Sequence, residues 1–177
     1  MFDKVNISLI IKKHFSTFQD ESTGEKDYVD LLIFIYIPII ASCVLGFFFH
    51  DLKNFTTILI TSLSIFTGLL FNLLLLTYDL IKRNESEKSF RPGEDIKTKK
   101  DNDVIIKGRL LKQIFSNISY SILISIFAIV FLLLSFAWDN CFYNIALSAI
   151  IYFLVVNFFL TLLMVLKRAH NLLSSEF

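Results

Sequence analysis

The chain holds few of the residues that punctuate or charge a soluble fold. Its 177 residues include 2 Pro, 5 Gly and 2 Cys, and 19% are charged. So little Pro and Gly excludes a collagenous or Pro-rich disordered chain. Two cysteines cannot build a disulfide framework. The formal net charge is +1, which gives no reason to expect direct nucleic-acid binding by the molecule as a whole. Catalytic signatures are also missing. There is no H-E-x-x-H, G-x-S-x-G or P-loop pattern, and no Cys/His cluster at metal-ligand spacing. His14, His50 and His170 stand far apart, and each reads as a capping or snorkelling residue. The sequence therefore predicts no enzyme and no cofactor.

What the chain does hold is oil. Hydrophobic residues make up 55%, against roughly 45–50% in an average soluble domain. Four stretches carry no Asp, Glu, Lys or Arg: 31–50, 54–78, 113–138 and 140–166. A helix that crosses a bilayer needs about 20 mostly apolar residues. All four qualify, with spans at Leu31–Phe49, Phe55–Tyr78, Ile118–Trp138 and Phe142–Leu166. Met1–Asp30 is polar and mixed and does not look like a signal peptide.

Lys and Arg give the orientation. Residues 1–30 hold 4 of them, 79–117 hold 10 and the tail 167–177 holds 2, while the two remaining connections hold only Lys53. Basic residues collect on cytoplasmic loops. The expected fold is therefore all-α: an integral membrane four-helix bundle of two helical hairpins, with both termini in the cytoplasm. It divides into a cytoplasmic N-terminal segment 1–30, a first hairpin 31–78, a cytoplasmic segment 79–117, a second hairpin 118–166 and a tail 167–177. Almost nothing is left outside, which argues against an extracellular receptor or a periplasmic enzyme.

The cytoplasmic parts are predicted in outline. A short helix over Asp3–Phe18 would place Ile7, Ile11, Phe15 and Phe18 on one face, with Ile10 and His14 beside them, either on the inner leaflet or packed on a neighbouring subunit or on the central segment. Gln19–Asp30 reads as a linker. Ile81–Lys100 reads as a polar loop with a turn at Arg91-Pro92-Gly93. Asp101 or Asp103 would cap a helix that starts near Val104 and continues into the third span. Lys107, Arg109, Lys112, Lys167 and Arg168 would meet lipid headgroups or an acidic partner.

Within the spans the polar residues fall on stripes. The second carries Thr57, Thr61, Ser64, Gly68 and Asn72, ending at Asp79. The third carries Asn117, Ser121, Ser125, Ala128 and Ser135, and the fourth Asn157, Thr161, Met164 and Arg168. The first offers Ser42-x-x-x-Gly46 and Pro38. Small and hydroxylated residues let helices approach and bond across, so these stripes serve either helix packing or the lining of a narrow pore. Asn72 and Asn157 are the leading lining candidates. Their common offset of 85 from each other, shared by Lys82-Arg83 and Lys167-Arg168, also fits an internal duplication. No ionisable group lies inside a span, which disfavours a proton-coupled exporter. Four thin spans invite a homo-oligomer, with a tetramer as the expected size.

The size, the span spacing, the stretch Phe66-Thr67-Gly68-Leu69-Leu70-Phe71-Asn72 and the basic tail resemble the small four-span inner-membrane proteins of bacterial anti-phage defence operons, most nearly the membrane subunit of the Kiwa system. The resemblance covers 31–177 and carries over no residue by position. It implies an inner-membrane oligomer that senses infection and holds a soluble, DNA-binding cytoplasmic effector. A pore-forming effector that depolarises the cell is the alternative expectation, and a small-molecule exporter the weakest.

Overall fold

The structure is a computed structural model that describes residues 7–17, 28–48, 53–89, 99–135 and 141–174. All regular structure among them is helical: α1 (Ile7–Phe15), α2 (Tyr28–Phe48), α3 (Lys53–Ser89), α4 (Lys99–Ser135) and α5 (Cys141–Ser174). Three helices are long and apolar enough to cross a membrane, over Phe55–Ser86, Ile105–Ser135 and Ile145–Leu172. The described apolar stretch of α2 is shorter, Phe34–Phe48.

The centre of the molecule is α4. It lies between α3 and α5, α2 packs on the far side of α5, and α1 packs on α4. This differs from two packed hairpins, because α2 lies against α5 and not against its chain neighbour α3. The reason is visible on α2, where Phe34, Pro38, Ser42 and Gly46 are buried at a spacing of four. A row at that spacing forms one ridge along a helix. Its last member, Gly46, meets Ala149 of α5 so closely that an added Cβ would stand 3.0 Å from the Ala149 Cβ. Small residues at a crossing allow this approach. Gly46→Leu should therefore force α2 off α5 and cost about 1–3 kcal/mol. A lowered midpoint in detergent-to-denaturant unfolding is the expected readout.

The contact between α3 and α4 follows a heptad. Thr56, Leu63, Leu70, Thr77 and Asn84 are buried, and Ile60, Thr67, Leu74 and Ile81 between them are half-buried. Steps alternating between four and three residues keep one seam facing the partner helix. Thr67 donates from Oγ1 to Ser125 Oγ of α4 at 2.8 Å and also to its own helix at the Leu63 carbonyl, 2.6 Å. On α5 the buried positions Ser148, Ile151, Phe158, Thr161, Val165 and Arg168 keep the same rhythm.

Two helix boundaries differ from the sequence reading. The polar stretch 81–89 is helix and not loop, because Asn84 buries against the bundle and Glu85 pairs with Lys112 of α4 at 2.9 Å. Helix α4 begins at Lys99, so neither Asp101 nor Asp103 sits at its start. The linker expected over Gln19–Asp30 is cut short, because residues 28–30 already belong to α2; its remainder 19–27, the turn Arg91-Pro92-Gly93, Phe18, His50 and Trp138 lie outside the described residues. At about 1.5 Å per residue, the 37 residues of α3 and of α4 each reach about 55 Å. That is well beyond a hydrocarbon core of about 30 Å. The surplus lies at the end that carries Lys82, Arg83, Arg109, Lys112 and Lys167, the basic end.

Candidate functional site

The basic end is organised around a histidine. At its C-terminal end α1 places His14 and Thr17 against α4 and α5, and both are buried. The His14 ring stacks on Tyr120 of α4, with centroids 3.7 Å apart and planes 8° from parallel. Phe34 of α2 approaches the same ring at 5.5 Å. His14 Nδ1–H donates to Asn117 Oδ1 at 2.9 Å. Thr17 Oγ1 donates to that same oxygen at 3.0 Å and to the His14 carbonyl at 2.7 Å. Arg168 reaches in from α5 and donates through Nη2 to the Thr17 carbonyl. A cation at the C-terminal end of a helix is favoured by the backbone dipoles. Four of the five helices thus meet at one buried polar knot.

The knot corrects the sequence reading at two positions. His14 neither caps nor snorkels. It is fully enclosed. Arg168 is 4% exposed and holds α1, so it does not offer itself to headgroups or to a partner. The inward face of α1 is Ile10, His14 and Thr17, while Ile11 and Phe15, expected on the apolar face, remain exposed.

Burial pushes the His14 imidazole down to about 4, and the Arg168 charge adds to this against the Asn117 hydrogen bond. The sign of the pH effect follows. Between about pH 6.5 and 4 the unfolded chain binds a proton that the folded chain refuses. Stability from His14 is complete above the unfolded value near 6.5 and drains as pH falls toward 4, by a limit of about 3 kcal/mol. The protection of amides in 7–17, as exchange rates divided by their intrinsic rates at each pH, should therefore fall between pH 7.5 and pH 5, and His14→Leu should flatten that dependence.

A cleft of about 1160 Å³ lies beside the knot, between α1, α3 and α4. Lys13, Thr17, Tyr78, Glu85, Arg109 and Lys112 are among the residues that line it. Lys112 is spent partly on Glu85. Lys107 is half-buried on α4 and Lys167 is exposed on α5.

The polar stripes separate into two kinds. Asn117, Ser121, Ser125 and Ala128 of α4 and Asn157 and Thr161 of α5 are buried within the chain. Thr57, Thr61, Ser64, Gly68, Asn72 and Asp79 of α3 all point outward. An added Cβ at Gly68 would meet nothing within 4 Å. Thr57, Thr61, Ser64 and Gly68 each lie one residue beyond the buried seam, a turn of about 100° around the helix, and Asn72 and Asp79 lie two residues beyond Leu70 and Thr77. Asn72 and Asn157, paired by the offset of 85, thus have opposite surroundings, as do Arg83 and Arg168. Asn157 Oδ1 and Asn117 Nδ2 find no hydrogen-bond partner among the described residues. Those residues also contain no group of three His, Cys, Asp or Glu placed to hold a metal ion.

Thr67, which bonds Ser125 of the third-span stripe, and Tyr120, which stacks on His14, were missed as site residues in the sequence. A signal for the knot does exist: two polar stripes end, at the same end of the bundle, in Asn117 and Arg168. No protein-family model, curated protein or solved structure matches this chain.

Proposed function

We propose that this protein is an oligomeric inner-membrane scaffold and sensor whose basic end recruits a soluble cytoplasmic effector. In this reading α2 to α5 are the four spans, both termini are cytoplasmic, and the surplus length of α3 and α4 projects into the cytoplasm. The observation that carries it is the knot: α1 is locked by His14, Asn117 and Arg168 onto the same end from which α3 and α4 extend. A buried network fixes one arrangement of the elements that share it. The result is a rigid, mixed-charge surface on one side of the bundle, with exposed Arg83, Arg109 and Lys167. The link to anti-phage defence and to a DNA-binding effector comes from the sequence resemblance alone.

Self-association is part of the proposal. The outward Thr57, Thr61, Ser64, Gly68 and Asn72 give α3 a small, polar face that no described helix covers, as close helix–helix contact in a bilayer requires. The same face supports a second reading, a pore lined at the oligomer axis by Asn72 in particular. Asn157 is enclosed by its own chain and leaves the set of lining candidates.

Co-purification tests the scaffold. The full chain, extracted from its native membrane, should retain a soluble protein in fixed ratio. Arg83→Glu with Lys167→Glu should lower that retention roughly tenfold while leaving membrane insertion intact. A chain that retains no soluble protein, or retains it regardless of those charges, overturns the scaffold reading. Bilayer conductance that is lost in Asn72→Leu would favour the pore.

A further inference from the structure

We propose that the cleft between α1, α3 and α4 binds the headgroup of an anionic phospholipid, one that carries free hydroxyls beside its phosphodiester. The inference rests on the four-span reading for its position at the inner membrane boundary, but on no partner protein.

Charge is the first argument. Lys13, Arg109 and Lys112 line the cleft against one carboxylate, Glu85. Glu85 pairs with Lys112, while Lys13 and Arg109 make no ion pair among the described residues. The two uncompensated cations come from different helices, α1 and α4, and converge on one space. A phosphodiester is the common anion that such a pair, with an Arg fork, holds well.

Buried polar atoms supply the second argument. Gln113 and Ser116 are lining residues of the cleft and are at least nine-tenths buried, and Gln113 Oε1 and Ser116 Oγ, enclosed beside it, have no hydrogen-bond partner among the described residues. A buried polar atom without a partner costs about 1–3 kcal/mol. Their chemistries differ in a useful way. The serine hydroxyl can donate to a phosphate oxygen. The glutamine oxygen can only accept, and a phosphate has no proton to give it at neutral pH. A hydroxyl on the headgroup does. The two orphans together therefore select a phosphate with a neighbouring hydroxyl, as in phosphatidylglycerol, over a phosphate alone.

Position is the third. The cleft runs from Tyr78 and Ser119, at the predicted inner ends of the second and third spans, out to Ile105 and Glu85 on the extensions. Leu9, Ile81 and Phe115 give it apolar wall for the start of an acyl chain. Its volume of about 1160 Å³ exceeds that of ordinary small-molecule sites, roughly 300–1,000 Å³. A lipid fits such a cleft better than a free phosphate does.

The test is native mass spectrometry of the full chain released from nanodiscs. Three probes are compared: phosphatidylglycerol, zwitterionic phosphatidylethanolamine, and soluble glycerol 3-phosphate. One phosphatidylglycerol per chain should be retained, roughly tenfold more strongly than phosphatidylethanolamine. Lys13→Gln with Arg109→Gln should abolish that preference. Both residues are exposed, so the fold should persist, and unchanged amide exchange in α1 and α4 verifies this. Gln113→Leu should lower binding of phosphatidylglycerol more than binding of a fourth probe, phosphatidylmethanol, which has the same phosphodiester and no hydroxyl. Equal retention of the two principal lipids, or a preference indifferent to Lys13 and Arg109, overturns the site. Glycerol 3-phosphate bound as tightly as the lipid overturns the lipid as its source. A chain that fractionates without membranes would instead refute the membrane reading itself.

Discussion

Asn117→Leu is expected to release α1. Asn117 is fully enclosed and its Oδ1 accepts from both His14 and Thr17. Leucine keeps the same branched outline but is larger and has no acceptor, so crowding adds to the loss. The His14 N–H is then left buried without its acceptor, and Thr17 keeps only the His14 carbonyl. Each buried donor so stranded costs about 1–3 kcal/mol. Undocked, a helix of 9 residues has too few turns to persist in water. Docking and helix formation in α1 are thus one event. Amide exchange over residues 7–17 should rise by about 10- to 100-fold, with little change in the middle of α4. Asn117→Asp keeps the acceptor and should restore protection. It should also draw the His14 value upward, because a carboxylate favours the protonated ring. If α1 is what presents the recruiting surface, Asn117→Leu should lose the soluble partner and Asn117→Asp should retain it.

The second large effect is expected on assembly. Gly68→Leu combined with Asn72→Leu should turn the proposed oligomer into a monomer without unfolding it. Nothing among the described residues lies within 4 Å of a Cβ at Gly68, and Asn72 is exposed, so the monomer accepts both leucines. A neighbouring copy seated on that face would not. Bulk at a small-residue crossing separates the backbones, and loss of an interhelical hydrogen bond in a bilayer costs about 1–2 kcal/mol. Association should weaken by at least roughly tenfold. Native mass spectrometry should show the loss. Leu73→Ala, an exposed position on another face of α3, should leave assembly intact. A double variant that still assembles would place the contact elsewhere and would remove the argument for a pore along α3.

How much of this was legible beforehand depends on what lipid does to a helix. Absence of charge marks a long apolar helix well, and α3, α4 and α5 lie where the charge-free runs predicted. Faces are harder. A helix in lipid is apolar all round, so apolar periodicity does not point at its packing side. On α4 and α5 the polar stripes lie inside, because their serines, threonines and asparagines bond or pack at helix crossings. On α3 the same kind of stripe lies outside, and the true seam runs through Leu63, Thr67 and Leu70, one step around. Composition alone cannot separate the two cases, since both serve close helix contact, one within the chain and one proposed between chains.

Helix ends show a different limit. Residues 81–89 are polar enough to read as loop, yet Asn84 and Glu85 are held by α4. Tertiary contact decided that boundary. The knot is the extreme case, since His14 and Asn117 stand 103 positions apart. No local pattern links them. The pairing needs α1 to fold back onto α4, and the sequence left that option level with a helix lying on the membrane.

The central claim is that the knot, the cleft and the helix extensions share one side of a membrane and the short connections lie on the other. Cysteine labelling tests it directly. With Cys43→Ser, Cys141 reports on the connection before α5, and an added Ser16→Cys substitution, at an exposed position of the α1 end, reports on the knot. A membrane-impermeant maleimide should label position 141 in intact cells and position 16 only in inside-out vesicles. Labelling of both positions from the same side would contradict the account.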